Sequence, residues 1–127
     1  MKTPETNPEI SPTIRISAPL GEINGIAILS DDGREHFVHI EGSPNGNPTP
    51  VRDQMECYLG LRFMSTECSC RQELIDSIND LKGKGEGVFV LIRNNNMFRC
   101  PKEDPNQDDL QIETMKVLTK LGVRREE

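Results

Sequence analysis

Four cysteines are the residues of this chain whose types and spacing are best suited to chemistry. Cys57, Cys68 and Cys70 follow the pattern C-x10-C-x-C, and Cys100 lies further along the chain. A C-x-C pair lets two thiolates reach one ion while a third arrives from a neighbouring element, and zinc binds thiolates at about 2.3 Å in a tetrahedral shell. The alternative is that these cysteines are small buried hydrophobes. Spacing alone leaves both open, because the usual zinc signature has two closely spaced pairs.

Length and charge exclude several classes of protein. A chain of 127 residues and 14.3 kDa, of which 34% are apolar, forms one small domain with a modest core. The 21 acidic residues outnumber the 15 basic ones, and the net charge of -6 argues against a protein that binds nucleic acid by neutralising phosphates. A nucleotide-sized anion is still compatible with this charge, because it needs only a local cluster of donors.

The same composition predicts where the protein works. The longest apolar run, at residues 88–92, is far shorter than the roughly 20 residues that span a bilayer, so we expect no membrane contact and a soluble, cytoplasmic protein. A reducing cytosol keeps thiols free. This favours metal ligands or reactive groups over a disulfide framework for the clustered cysteines.

The first half of the chain is predicted to form an arm and then a sheet. Residues 1–12 carry three prolines among polar residues and are predicted to be a disordered arm, followed by a single domain over residues 13–127. Alternating, β-branched and aromatic residues predict an antiparallel meander of three strands, near residues 14–16, 23–29 and 36–40. A further extended segment begins at Val51, after a loop rich in proline and glycine.

The second half of the chain is predicted to supply two helices and a central strand. Leu74, Ile78 and Leu81 recur at helical spacing after Ser69, a good N-cap residue, and glycines at 83 and 85 end that pattern. Residues 88–92 are typical of a strand buried on both faces, residues 94–109 predict a long loop, and residues 110–121 predict a last helix. Together the elements predict an α+β fold, with a small, mixed and largely antiparallel sheet and two packed helices.

The residues around the clustered cysteines resemble those of one known family. Residues 52–60 read R-D-Q-M-E-C-Y-L-G, and residues 68–74 read C-S-C-R-Q-E-L. These stretches are similar to the motifs R-V-H-S-E-C-L-T-G-D and C-D-C-G-x-Q-L of GTP cyclohydrolase II, the zinc enzyme that opens the guanine ring of GTP. The resemblance implies that Cys57, Cys68 and Cys70 bind Zn²⁺ with water as the fourth ligand, in a fold like that of the family.

Departures from the family pattern fall on residues that would handle the substrate. After Arg93 the family has Q-E-G-R, which contacts the phosphate end of the nucleotide, where this chain has N-N-N-M. The catalytic aspartate and arginine of the family, spaced D-x-R, fall on Gln107 and Asp109, and the glutamine after its C-x-C pair falls on Glu73. The resemblance therefore implies a substrate other than GTP itself.

Three residues are predicted to serve a substrate if the chain is an enzyme. Glu56 adjoins a predicted zinc ligand and is the candidate catalytic proton shuttle. Arg52 is a candidate anion anchor, and Glu73 is a candidate acceptor for N–H groups of the substrate. The alternative is that Glu56 is a solvent-facing strand carboxylate with Arg52 as its surface partner.

Cys100 has no counterpart in the family pattern. It lies between Arg99 and Pro101, where it could swing over the zinc ion and complete a four-thiolate shell. Such closure would exclude water and convert a catalytic site into a structural one. The other interpretation is a free cysteine in a loop.

The two histidines are not expected to share a metal ion. His36 and His39 are three residues apart in a predicted strand, so they point to opposite faces of it. We expect surface or edge positions for both.

Three hypotheses for the function follow from these residues. The first is a zinc-dependent hydrolase that resembles GTP cyclohydrolase II and acts, by a cyclohydrolase or deaminase type of reaction, on a C–N bond of a purine-, pterin- or guanidine-like small molecule. The alternative is a catalytically inactive binding or structural module that keeps zinc because its folding depends on it. In the third hypothesis a homodimer or another subunit supplies the absent groups and covers an apolar face.

Overall fold

The computed structural model describes residues 9–43, 48–96, 98–103 and 108–126. The strands in these ranges are β1 (Ile14–Ala18), β2 (Gly21–Leu29), β3 (Glu35–Glu41), β4 (Val51–Met55) and β5 (Gly87–Ile92). The helices are α1 (Tyr58–Arg62), α2 (Cys70–Lys84) and α3 (Asp108–Leu121), and a 3-10 turn covers Pro101–Glu103.

The strands form one sheet in the order β1-β2-β3-β5-β4. β1, β2, β3 and β5 pair antiparallel along the sheet. β4 pairs with β5 in parallel, because the chain returns through the crossover helix α2. The predicted α+β class and the predicted meander of β1, β2 and β3 are confirmed.

β5 lies at the centre of the core because helices pack on both of its faces. Val88, Val90 and Ile92 are fully buried and lie in one cluster with the buried side of α3. Phe89, between them in sequence, lies in a second cluster with the buried side of α2. Successive side chains of a strand point to opposite faces, so a strand covered on both sides must be apolar throughout, as predicted.

α2 begins next to Ser69, as predicted, and ends at Gly85. The Ser69 hydroxyl donates to Glu73 Oε2 at 2.6 Å, and no side-chain hydrogen bond from this residue caps the helix. Gly83 and Lys84 still belong to α2. Gly85 stops the helix with a φ of 77°, a left-handed conformation that costs glycine little.

The folded chain starts earlier than the boundary predicted at residue 13. Ile10 bridges Ile28 of β2 and packs on the core, and the Ser11 amide donates to the Ala27 carbonyl at 2.9 Å. Residues 9–12 therefore continue the line of β1 along the sheet. Residues 1–8 of the predicted arm lie outside the described residues.

Two short elements have no counterpart in the sequence-based prediction. α1 has only five residues, too few for a helical period to be visible. The predicted loop at residues 94–109 contains the 3-10 turn and the start of α3, which begins at Asp108 rather than at Leu110. Both unpredicted elements lie close to cysteines.

Both histidines are buried, so the expected surface or edge positions are wrong. His36 is 1% exposed and its Nε2 lies 2.9 Å from Glu113 Oε1 on α3. His39 is 0% exposed and its Nε2 lies 2.9 Å from Glu41 Oε1. A carboxylate beside each ring satisfies its polar edge, which is what allows an imidazole to be buried.

Candidate metal centre

Four parts of the chain bring one cysteine each to the same place. Cys57 follows β4 and is the N-cap of α1, and Cys68 lies in the segment before α2. Cys70 is the first residue of α2, and Cys100 directly precedes the 3-10 turn. The three cysteines singled out by their spacing thus lie together, and Cys100 joins them.

The sulfur atoms lie at distances that suit one metal ion. All four Sγ atoms lie within 4.8 Å of one another. The Sγ atoms of Cys57 and Cys68 are 3.9 Å apart, and those of Cys70 and Cys100 are 3.6 Å apart. In a regular tetrahedron with zinc–sulfur bonds of about 2.3 Å, two sulfurs are about 3.8 Å apart. The four free thiols therefore fit the shell of a single zinc ion.

Close packing around the sulfurs explains a glycine in α1. The Gly60 amide donates to Cys57 Sγ at 3.4 Å. A Cβ on Gly60 would lie 3.0 Å from Cys68 Sγ and 3.4 Å from Cys57 Sγ, so a larger residue would press on the cluster. Cys57, Cys70 and Cys100 are buried, whereas Cys68 is partly exposed.

Burial controls how readily these thiols ionise. Burial raises the pKa of the Cys57 and Cys70 thiols above the ordinary value. A hydrogen bond from the Cys70 backbone amide lowers the pKa of the Cys68 thiol. A buried thiolate needs a nearby positive charge, and a soft divalent ion such as Zn²⁺ supplies it while the thiols release their protons.

A polar clasp, formed by Ser69, Glu73 and Lys102, holds residues 100–103, which we call the Cys100 segment, to the start of α2. Lys102 Nζ donates to the Glu73 carboxylate and, at 3.1 Å, to Ser69 Oγ. The hydrogen bond from Lys102 lowers the pKa of Glu73 below its usual value. Glu73, the predicted acceptor for a substrate, is thus already paired within the chain.

Arg52 is paired with α2. Its guanidinium donates to Asp80 Oδ2 at 2.7 Å and to the Val51 carbonyl at 3.1 Å. Its ion-pair partner is therefore Asp80 rather than Glu56. Glu56 precedes Cys57, and its amide donates to the Ile92 carbonyl at 2.7 Å. The role of Glu56 as a proton shuttle stays a prediction.

Asp109, which falls on the arginine of the family's D-x-R pair, binds an arginine of this chain instead. Arg34 donates to both carboxylate oxygens of Asp109, at 2.9 and 3.0 Å, and to the Arg93 carbonyl at 2.8 Å. The importance of Arg34 was not visible in the sequence, because its partners are distant in sequence and follow no fixed spacing. Gln107 lies outside the described residues.

A cleft of about 530 Å³ opens over the sulfur cluster. Cys68 and Cys100 line it, together with polar side chains, among them Ser65, Thr66 and Lys102. Two of the four sulfur-bearing residues are thus reached from one side, while Cys57 and Cys70 lie behind them.

Comparison with known proteins identifies the family. The model of the family described as GTP cyclohydrolase II matches residues 13–122. The chain belongs to the GTP cyclohydrolase II family. The resemblance found in the cysteine motifs is thereby confirmed, and the fold described above is consistent with a domain of that family.

Several curated proteins are similar to this chain over part of their length. GTP cyclohydrolase-2 of Campylobacter hominis is 27% identical over 124 residues, which cover 95% of this chain and 63% of that protein. GTP cyclohydrolase-2 of Picrophilus torridus is 28% identical over 80 residues, or 62% of this chain and 42% of that protein. Riboflavin biosynthesis protein RibBA of Bacillus subtilis is 36% identical over 64 residues, or 49% of this chain and 16% of that protein. This chain therefore spans less than two thirds of each of these relatives.

The remaining predictions concern membrane contact, the zinc hydrolase activity, the cellular location and the oligomeric state. In the part of the chain that the structure describes, no helix is both long and apolar enough to cross a membrane. Family membership and the cysteine cluster are together compatible with a zinc hydrolase. The cytoplasmic location and the homodimer stay predictions.

Proposed function

We propose that this protein is a zinc-stabilised module of the GTP cyclohydrolase II family in which four thiolates close the metal shell. It is a binding or structural module and does not open the ring of GTP. The observation that supports the proposal is the position of Cys100, whose Sγ lies 3.6 Å from that of Cys70 and within 4.8 Å of the other two. Among the hypotheses drawn from the sequence, this geometry favours the inactive module over the hydrolase.

The number of thiolates separates the two hypotheses. Catalytic zinc sites use three protein ligands and keep a fourth position for water or substrate, whereas four cysteines are typical of closed structural sites. Cys57, Cys68, Cys70 and Cys100 would hold the ion, which when bound would supply folding free energy rather than activate water. The clasp supports the closed form, because it ties the segment next to Cys100 to α2.

The pairing of the candidate substrate residues supports the same conclusion. Arg52 donates to Asp80, and Glu73 accepts from Lys102 and Ser69. A substrate would have to compete with each of these intramolecular pairs. Asp109, at the arginine position of the family's D-x-R pair, carries the opposite charge and is bound by Arg34.

A small core explains why such a module would retain the metal. A domain of this size buries a smaller fraction of its surface than a larger one and is marginally stable for that reason. Ion binding that requires the folded arrangement of four cysteines adds directly to the free energy of unfolding.

A second candidate function is kept because of the cleft. The volume of about 530 Å³ over Cys68 and Cys100 is large enough for a small purine- or pterin-like molecule. If Cys100 did not bind the ion, the open fourth coordination position would face this cleft. Glu56 directly precedes Cys57, one of the three remaining ligands. In that case the chain would be a zinc hydrolase of a C–N bond, acting on a compound other than GTP.

Cobalt substitution combined with an activity assay distinguishes the closed four-thiolate module from the zinc hydrolase. Co²⁺ reports its ligands through absorption bands, and the intensity of the sulfur-to-cobalt charge-transfer band rises with the number of thiolates. We expect Cys100→Ser to lose about a quarter of that band, whereas Glu103→Ala, an exposed position in the same segment that removes no sulfur and leaves the clasp intact, keeps it.

Zinc-loaded wild-type protein should release neither formate nor ammonia from GTP or from a panel of purines and pterins. Release of either product by the wild type would support the hydrolase instead. Identical charge-transfer bands for the wild type and for Cys100→Ser would contradict the closed shell.

A further inference from the structure

We propose that Cys68 is an oxidation site, through which a hydroperoxide converts Cys57 and Cys68 to a disulfide and releases the zinc ion. This inference rests on the four-thiolate centre of the proposed function. On this inference, the cleft over Cys68 admits a small polar oxidant rather than a nucleotide.

The four cysteines differ in access, and this difference selects the residue that is attacked. Cys57 and Cys70 are 0% and 2% exposed, whereas Cys68 is partly exposed and lines the cleft. Cys100 also lines the cleft, but it is 8% exposed. An oxidant that enters from solvent therefore meets the sulfur of Cys68 before the others.

The walls of the cleft suit a small polar oxidant. The polar residues of the lining are the hydroxyl-bearing Ser65, Thr66 and Ser69, the acidic Glu67 and Glu103, and Lys102, whose ammonium group is paired with Glu73. Such groups form hydrogen bonds with water and with a hydroperoxide. Thiolates are nucleophiles, and susceptibility to oxidation follows thiolate character and exposure.

A second sulfur lies within reach of the first. The Sγ atoms of Cys57 and Cys68 are 3.9 Å apart, so they must approach by about 2 Å to reach the disulfide bond length. Cys57 is buried behind Cys68 and is protected from the oxidant itself. It is therefore placed to act as the resolving cysteine.

The reaction balances with a hydroperoxide as the oxidant. The Cys68 thiolate attacks the terminal oxygen, the O–O bond breaks, and with one proton the products are the Cys68 sulfenic acid and an alcohol, or water when the oxidant is hydrogen peroxide. The Cys57 thiolate then attacks the Cys68 sulfur, and with a second proton it forms the disulfide and releases water. The two thiolates lose two electrons, and the hydroperoxide gains them.

Loss of two ligands empties the shell. Cys70 and Cys100 are the remaining thiolates, and two ligands do not hold zinc in a tetrahedral site. Cys57 Sγ also accepts the hydrogen bond from the Gly60 amide in α1, so the change in its position reaches that helix.

Peptide mapping of the oxidised 127-residue chain tests the site. The zinc content is measured first, and one ion per chain is expected. Hydrogen peroxide is then added in the presence of a chromogenic zinc indicator, and a sulfenic-acid trap is included in a parallel sample. We expect release of the one zinc ion, loss of two thiols, a trapped adduct on Cys68, and a Cys57–Cys68 disulfide that a reductant reverses.

The variants give a matched pair. Cys100→Ser removes a ligand but leaves both reacting sulfurs, so it should still form the Cys57–Cys68 disulfide, whereas Cys57→Ser should accumulate the trapped adduct on Cys68. A first adduct on another cysteine, a Cys70–Cys100 disulfide that forms without one between Cys57 and Cys68, or zinc release without a disulfide would overturn the oxidation site and leave the zinc module intact. A chain that binds no zinc at the outset overturns the proposed function and this site with it.

Discussion

Two buried polar centres lie on different parts of the sheet, and they are satisfied in different ways. The sulfur cluster brings four thiols within 4.8 Å of one another, with the Gly60 amide donating to Cys57 at 3.4 Å and the Cys70 amide donating to Cys68. The second centre, which we call the Arg34 network, joins the turn between β2 and β3 to α3. Its members are Ser30, Asp32, Arg34, His36, Asp109 and Glu113.

The Arg34 network pairs its own charges. Arg34 is 8% exposed and donates to Asp32 and to both oxygens of Asp109. Glu113 is 3% exposed and accepts from the Ser30 hydroxyl at 2.5 Å, with His36 Nε2 at 2.9 Å and Lys116 Nζ at 3.1 Å. Every charged group named here faces an opposite charge or a hydrogen-bonding partner, so this centre is complete without a ligand.

The sulfur cluster has no such internal balance. Thiols are weak hydrogen-bond donors and weak acceptors, and four of them cannot compensate one another's charge once ionised. Side-chain pairing thus attaches α3, whereas under the proposed function a metal ion would join α1 to the segment around Cys100, in addition to the clasp. The two centres can therefore be perturbed separately, one by removal of the metal and the other by substitution.

The largest expected effect is that of zinc removal. The apparent free energy of zinc binding to small metal-dependent folds is on the order of 10 kcal/mol. A strong chelator should therefore abolish the cooperative thermal unfolding transition or greatly lower its midpoint temperature. Circular dichroism before and after chelation, and after zinc is restored, measures this. An unfolding transition that does not change with chelator would show that the cluster contributes nothing to folding.

A smaller effect is expected from breaking the Arg34 network. Glu113→Ala leaves Ser30 and His36 without their carboxylate partner, and the loss of a buried charged partner costs about 3 to 5 kcal/mol of unfolding free energy. Asp31→Ala is the matched control, because Asp31 is an exposed partner of Lys116 and its loss should cost less than about 1 kcal/mol. Urea unfolding of the zinc-loaded proteins compares the two variants. Equal losses of unfolding free energy would show that the Arg34 network does not stabilise the fold.

The same residue gives the Arg34 network a pH dependence. Burial alone would raise the pKa of Glu113, but hydrogen bonds from Ser30, His36 and Lys116 lower it from 4.5 to about 2. A carboxyl group whose pKa is lower in the folded state contributes stability that is complete above its unfolded value and is lost as the pH falls through its folded value. The difference in stability between wild type and Glu113→Gln should therefore be constant above about pH 5 and shrink between about pH 4.5 and 2.

The smallest effect concerns a pair of glycines. In Gly60→Ala the added Cβ would lie 3.0 Å from Cys68 Sγ, so the variant should lose about 1 to 3 kcal/mol of stability and bind zinc more weakly. Gly83→Ala adds the same atom in α2, where no described residue outside the helix's own neighbouring backbone comes within 4 Å of it, and should stabilise the protein by about 0.5 to 1 kcal/mol. Zinc competition titrations and thermal unfolding of the two variants test the contrast, which fails if both variants bind zinc alike.

Local patterns in the sequence predicted much of this fold. The meander, α2 and β5 follow from the spacing of apolar residues and from glycine stops, and the C-x10-C-x-C spacing identified three members of the cluster. α1 was missed because it has only five residues. The burial of His36 was missed because its carboxylate partner, Glu113, lies 77 residues away in the sequence. The partner of His39 is local, because Glu41 lies two residues further on, on the same side of β3.

The remaining features depend on contacts between distant parts of the chain. Cys100 lies 30 residues from Cys70, with no fixed spacing to mark it as a ligand, so the sequence left its role open. Arg34 and Asp109 are 75 residues apart, and nothing local indicates that they pair. The first contact arises only when α2 and the segment around Cys100 are packed together, and the second only when the turn between β2 and β3 packs against α3.

Zinc K-edge X-ray absorption on the zinc-loaded protein tests the central claim most directly, because it counts the atoms bound to the metal. We expect a shell of four sulfur atoms at about 2.3 Å in the wild type, and three sulfur atoms with one lighter ligand in Cys100→Ser. Three sulfur atoms and an oxygen or nitrogen in the wild type would contradict the closed four-thiolate centre and would favour the zinc hydrolase.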